Sequence, residues 1–198
     1  MIAIIDSGGA NIASVQFALE RLGVAAELTA DPDKILAADK VLLPGVGAAQ
    51  NAMRILQERD LITCIRGLSQ PVLGICLGMQ LLFEHSAERD IDMLGLVEGR
   101  CSLFPADGGL TVPHMGWNRI RQIDAVNTHP LMRDVEEGAH VYFVHSYFAP
   151  LTTDTVAYAE YGQPFTAVMA NDNFMGCQFH PERSGAVGAQ ILRNFVAL

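Results

Sequence analysis

Gly74-Ile75-Cys76-Leu77-Gly78 joins an apolar run, Pro71 to Ile75, to a stretch with helical spacing, Leu77 to His85. The first reads as a short buried strand and the second as a helix, so Cys76 sits on a sharp strand-to-helix turn. A glycine two positions away on each side suits such a turn, where the backbone is strained and closely packed. The turn lifts the sulfur clear of a sheet and sets it at a helix N-terminus, which favours an anion such as a thiolate. A strand feeding directly into a helix fits a βαβ unit, and the order of the elements before it decides the fold class.

The chain before the turn fits that frame. Ile2 to Ile5, Ala25 to Leu28 and Val41 to Leu43 read as buried strands. Asn11 can cap a helix whose apolar face is Ile12, Val15, Leu19 and Leu22 and which Gly23 ends. Ala48 to Glu58 reads as a second helix. This order predicts an α/β fold with a mainly parallel, doubly wound central sheet. After residue 90 the pattern changes. Gly95 to Phe104, Thr111 to Ile120, Val141 to Tyr147, Thr155 to Tyr161, Thr166 to Ala170 and Phe174 to Phe179 are short strand-like runs between turn residues, which predicts antiparallel additions. Ala186 to Val196 is a closing helix. With 198 residues, half of them apolar, the whole of 1–198 is expected to form one domain.

Phe179-His180-Pro181-Glu182 lies about a hundred residues after the cysteine. An X-Pro step keeps His180 extended, and an extended chain would put His180 and Glu182 on one side. Glu182 could then hold one imidazole nitrogen while the other handles a thiol proton. Either motif alone fits something plainer, a packed cysteine or an ordinary loop. Together they supply a nucleophile, a base and an orienting carboxylate. The other cysteines, Cys64, Cys101 and Cys177, have neither zinc-like spacing nor the pattern of a disulfide framework, so no metal or other cofactor is expected. The net charge of −9, with no basic run, argues against a nucleic-acid partner. Met1 to Asp6 reads as a strand rather than a signal peptide, and no segment reaches the ~20 apolar residues of a membrane span. A reducing cytoplasm is the expected setting. Asp6-Ser7-Gly8-Gly9-Ala10-Asn11 lacks the spacing and the lysine of a phosphate loop.

Gly74 to Gln80 together with Gln178 to Glu182 resembles the signature pair of the class I, triad-type glutamine amidotransferases. Leu43-Pro44-Gly45-Val46-Gly47, Pro113-His114-Met115-Gly116-Trp117-Asn118, Tyr142 to Tyr147 and Gln178 to Gly185 narrow the resemblance to the glutaminase subunits of imidazole glycerol phosphate synthase, and it runs from Ile2 to the C-terminus. The resemblance implies hydrolysis of glutamine through a thioester on Cys76, with His180 and Glu182 completing the triad. It implies that the ammonia goes to a (β/α)8-barrel cyclase subunit, which makes imidazole glycerol phosphate and AICAR in histidine biosynthesis. Oxyanion donors are expected from the backbone N–H of Leu77 and that of Val46 or Gly45, and glycine there would tolerate a peptide flip that switches activity. Gly47, Gln80, Ser146 and Tyr147 are implied contacts of the glutamine. Asn11, Trp117, Tyr142 and Arg183 are implied contacts of the cyclase. Ala10 stands where many members carry glycine and Arg183 where many carry lysine, so the interface differs in detail. His114 and His145 lie in apolar strand-like runs and read as core histidines rather than ligands. Two other readings compete: a glutaminase of another class I pathway, which the Pro113 to Asn118 block disfavours, and a non-catalytic regulatory module, which the complete triad disfavours.

Overall fold

In the computed structural model, residues 1–8, 12–105, 109–124 and 126–198 are described. The first half alternates as its sequence predicts: β1 (Ile2–Ile5), α1 (Ile12–Arg21), β2 (Ala26–Thr29), α2 (Pro32–Ala37), β3 (Lys40–Gly45), α3 (Ala49–Glu58), α4 (Leu61–Arg66), β4 (Val72–Cys76) and α5 (Leu77–Leu81). The second half holds β5 (Phe83–Ser86), β6 (Ile91–Asp92), β7 (Val97–Leu103), β8 (His114–Arg119), β9 (Arg121–Gln122), β10 (His140–His145), β11 (Tyr147–Phe148), β12 (Thr155–Glu160), β13 (Pro164–Asn171), β14 (Phe174–Cys177) and the closing α6 (Gly185–Ala197). Helices α2 and α4 are short, six residues each, and the expected helix pattern did not show them.

The central sheet runs β2-β1-β3-β4-β14-β13-β12-β9. From β2 to β14 every pairing is parallel, and from β14 through β13 and β12 to β9 every pairing is antiparallel. Two smaller sheets, β10-β8 and β11-β7-β5-β6, stand beside it. Strand alternation divides the core into two layers. Ile2 and Ile4 of β1 join Val15 and Leu19 of α1 and Ile191, Leu192 and Phe195 of α6. Ala3 and Ile5 join Ile35 of α2, Ala52 and Leu56 of α3 and Leu61 and Ile65 of α4. Successive residues of a strand point to opposite faces, so a strand buried on both sides must be apolar throughout, as β1 and β4 are. Because β1, β3 and β4 run in parallel, the segments that follow them emerge at one rim of the sheet.

The end of α5 also differs from the sequence expectation. The helix after Cys76 was expected to reach His85, but α5 stops at Leu81 and the chain becomes β5. The apolar run Leu81-Leu82-Phe83 does not continue a helical stripe; all three side chains are buried in the α3–α4 layer. Their carbonyls accept from Leu94, Leu96, Val97 and Gly95, so the segment entering β7 takes the hydrogen bonds that further helical turns would have used. Asn11, the expected cap of α1, and Ala10 fall outside the described residues.

Candidate active site

The turn at Cys76 explains its own sequence. Cys76 has φ 54° and ψ −111°, a conformation rare for a residue with a side chain. The surroundings hold it there. A Cβ on Gly78 would lie 1.7 Å from the carbonyl oxygen of Leu43, and one on Gly74 would lie 2.6 Å from that of Gly78. Both glycines are needed because backbone packs on backbone. Helix α5 therefore lies against the end of β3, where Gly45 pairs beside Cys76. At five residues, α5 is too short to act through a long macrodipole, and its effect on an anion comes from the N–H groups of its first turn.

His180 reaches the turn from the other side. It is extended, at φ −96° and ψ 98°, as an X-Pro step requires. Pro181–Arg183 then forms a 3-10 turn rather than more extended chain, so the expected two-residue alternation is not what aligns the pair. The tight turn folds Glu182 back, and its Oε1 lies 2.8 Å from His180 Nδ1. The Glu182 side chain is fully shielded from solvent. Strand β10 clamps this segment: His180 N–H donates to Tyr142 C=O at 2.9 Å, and Tyr142 N–H donates to Ser184 Oγ at 3.0 Å. Burial alone would lower the His180 pKa. Hydrogen bonds to Cys76 and Glu182, with the negative charge each can carry, outweigh it and push the imidazole up to about 10.

These groups meet in a cavity of about 390 Å³. Val46, Gly47, Cys76, Leu77, Gln80, Ser146, Tyr147, His180 and Arg183 line it, so most of the residues singled out in the sequence share one space. Gly45 and Glu182 do not line it, but each is joined to a residue that does, Gly45 by pairing with Cys76 and Glu182 by its bond to His180. Trp117 and Tyr142 lie outside it, opposite each other on the β8–β10 ribbon with ring centroids 6.1 Å apart. Trp117 and Met115, two residues apart on β8, are more than half exposed. Gln80, an implied contact of the glutamine, has protein partners here: its amide nitrogen donates to Tyr147 C=O at 2.7 Å and to Gln178 Oε1 at 2.8 Å. Among the described residues, no group of three His, Cys, Asp or Glu side chains could hold a metal ion, and no helix is long and apolar enough to cross a membrane.

Two members of the site were given no role by the sequence, although Gln178 opens the Gln178 to Glu182 segment. Glu88 lines the cavity and its Oε2 accepts from Ala49 N–H at 2.7 Å, capping α3 from across the chain. It belongs to a charged turn with no motif. Gln178, fully buried, donates from Nε2 to Cys76 Sγ at 3.7 Å. His145 also lines the cavity, but it is tied into the interior, its Nε2 2.9 Å from His114 Nδ1 and its Nδ1 2.8 Å from Tyr147 C=O. Burial lowers both imidazoles, His114 to about 4 and His145 to about 3.

The family model described as glutamine amidotransferase class-I matches residues 3–198. The chain belongs to that family. This amidotransferase is 51% identical over 198 residues to the imidazole glycerol phosphate synthase subunit HisH of Pectobacterium atrosepticum, covering 100% of this chain and 99% of the relative. It is 51% identical over 195 residues to the subunit of the same name from Haemophilus influenzae, covering 98% and 96%. Its fold matches that of a chain in the structure of PurLQS from Thermotoga maritima with a TM-score of 0.73 at 18% identity, over 99% of this chain and 97% of that one.

Proposed function

We propose that this amidotransferase is the glutaminase subunit of an imidazole glycerol phosphate synthase, working as one domain in the cytoplasm. In this reading it hydrolyses glutamine and passes ammonia to a cyclase subunit that makes imidazole glycerol phosphate and AICAR for histidine biosynthesis. The observation that carries the chemistry is the Cys76–His180–Glu182 line, closed by the 2.8 Å bond between His180 Nδ1 and Glu182. Identity of 51% with HisH subunits, over nearly the whole of both chains, supports the pathway. Cys76 Sγ attacks the side-chain carbonyl of glutamine. The oxygen that becomes negative is met by the backbone N–H groups of Leu77 and of Val46, with Gly45 behind. His180, held basic by its two partners, carries the proton to the departing nitrogen, so ammonia leaves and a thioester remains. His180 then draws a proton from water, which attacks the thioester and releases glutamate.

The remaining lining suits a free amino acid. Glu88 supplies an anion for the α-ammonium group. The Ser146–Tyr147 backbone and Gly47 face the α-carboxylate end, and Gln80 holds the Tyr147 carbonyl in place. The cyclase, read as a (β/α)8 barrel, docks through Trp117, Tyr142 and Arg183, with Asn11 a further contact that the family resemblance implies. Tyr142 lies one hydrogen bond from His180, so docking there can bear on the base. Docking would also favour the arrangement of Gly45-Val46-Gly47 that turns a donor inward, provided that it binds that arrangement better. The test is glutamate release from glutamine, measured with and without the cyclase subunit. Release stimulated by that subunit supports the reading, and no release in either condition overturns it.

A further inference from the structure

We infer that Gln178 is a positioning residue for Cys76: its side-chain amide donates to the sulfur, in a direction fixed by the carbonyl of Tyr147. The inference rests on the reading of Cys76 as the nucleophile. It starts from a group that can only accept. Tyr147 C=O takes hydrogen bonds from Gln80 at 2.7 Å and from His145 Nδ1 at 2.8 Å. Gln80 must therefore present its NH2, and its other bond, 2.8 Å to Gln178, must end on the Gln178 oxygen. That leaves the Gln178 NH2 facing Cys76 Sγ at 3.7 Å. The same carbonyl assigns the histidines. His145 carries its proton on Nδ1, so its Nε2 accepts from His114 Nδ1 at 2.9 Å, and His114 Nε2 faces the Asn118 amide nitrogen at 3.3 Å. Every member is buried or half-buried, and no rotation of one amide leaves the others satisfied.

The network discriminates between the two states of the sulfur. As a thiol, Cys76 points a weak donor at Val144 C=O, 3.8 Å away. Once the proton has gone, that contact loses its hydrogen bond. Gln178 then donates to a charged acceptor, which is stronger than donating to a neutral thiol. A donor that favours the charged form raises the thiolate population and fixes where the sulfur points. Sequence distance hides this arrangement. Gln178 lies 102 residues from Cys76 and 98 from Gln80, but β14 runs parallel to β4 with Cys177 opposite Ile75, which delivers the next residue to the turn.

The test uses Gln178→Leu and the near-isosteric Gln178→Glu with the full chain and its cyclase subunit. Alkylation of Cys76 by iodoacetamide is followed against pH by mass spectrometry of the Cys76 peptide. Losing one such bond lowers the thiolate population about fivefold, so the alkylation midpoint should rise by about 0.7 pH units in Gln178→Leu. Turnover should fall at least about fivefold, with the Michaelis constant within about twofold. Gln178→Glu, which sets an anion beside the sulfur, should shift the midpoint further. In the unsubstituted chain, the 15N-labelled side-chain amide signal of Gln178 should move when Cys76 is alkylated, a readout that survives if a variant fails to fold. An unmoved alkylation midpoint, an unmoved amide signal, or a raised Michaelis constant with turnover unchanged overturns the proposal. If the parent releases no glutamate, the functional reading falls, whereas the alkylation midpoint still decides the role of Gln178.

Discussion

Gly78→Ala should cost both stability and chemistry, and the structure sets the scale. The added Cβ would lie 1.7 Å from Leu43 O, 2.7 Å from Leu43 C and 3.3 Å from Pro44 C. Real Cβ atoms essentially never come within 3.0 Å of another heavy atom, so the gap must open by at least ~1.3 Å. No side-chain rotation relieves this, because all three neighbours are backbone. Either α5 lifts or the end of β3 moves, and both are buried. Overpacking that shifts backbone costs about 1–3 kcal/mol, which for a chain this size lowers Tm by roughly 2–12 °C. The displaced atoms flank the reacting ones, since Gly45 pairs with Cys76 and leads directly to Val46. A shift of ~1 Å in such positions costs about 10²-fold in rate. Gly67→Ala is the control: it lies at the end of α4 with φ −91°, and its Cβ would meet nothing closer than 3.4 Å. It should change Tm by no more than ~2 °C and leave turnover unchanged. Differential scanning calorimetry and glutamate release read the two effects. A Gly78→Ala variant with parental Tm and parental turnover would refute the claim that this contact shapes the turn.

Cys76→Ser should abolish glutamine hydrolysis while ammonia-dependent synthesis by the complex persists, which a paired assay with glutamine or ammonium salts checks. Glu182→Gln should lower turnover by about 10²-fold or more with little change in the Michaelis constant, because orientation of His180 acts in the transition state; steady-state kinetics separate the two. His180 is raised to about 10 from 6.5, so its contribution to stability is complete below pH 6.5 and is lost as pH climbs towards 10. His114 and His145 are lowered to about 4 and about 3, so theirs is complete above pH 6.5 and is lost as pH falls towards those values. Melting temperature against pH should thus peak near 6.5, and His180→Asn should flatten the alkaline limb alone. Arg183→Ala should reduce cyclase-stimulated glutaminase several-fold more than any basal rate, measured with and without saturating cyclase.

What could be read from the sequence was whatever short-range spacing encodes. Gly74 and Gly78 announce the turn because both close approaches fall two residues from Cys76, although the backbone that Gly78 meets belongs to Leu43. The buried strands are visible because a strand covered on both faces must be apolar at every position, as Ile2 to Ile5 is. The end of α5 is not visible, because Leu81-Leu82-Phe83 suits a helix as well as a strand until the segment entering β7 claims its carbonyls. Glu88 and Gln178 fail for the same reason at longer range. A carboxylate in a charged turn becomes a wall of the site only when its oxygen reaches the N-terminus of α3, 39 residues away in the chain. An amide before Phe179 becomes a sulfur ligand only when parallel pairing sets β14 beside β4. The nucleophile and base thus carry local signatures, since each needs a special backbone. Glu182 also acts locally, through the turn at Pro181, whereas Gln178 and Glu88 depend on where distant segments pair and pack. Substitution of Glu88 is therefore where activity should change without any local motif being broken.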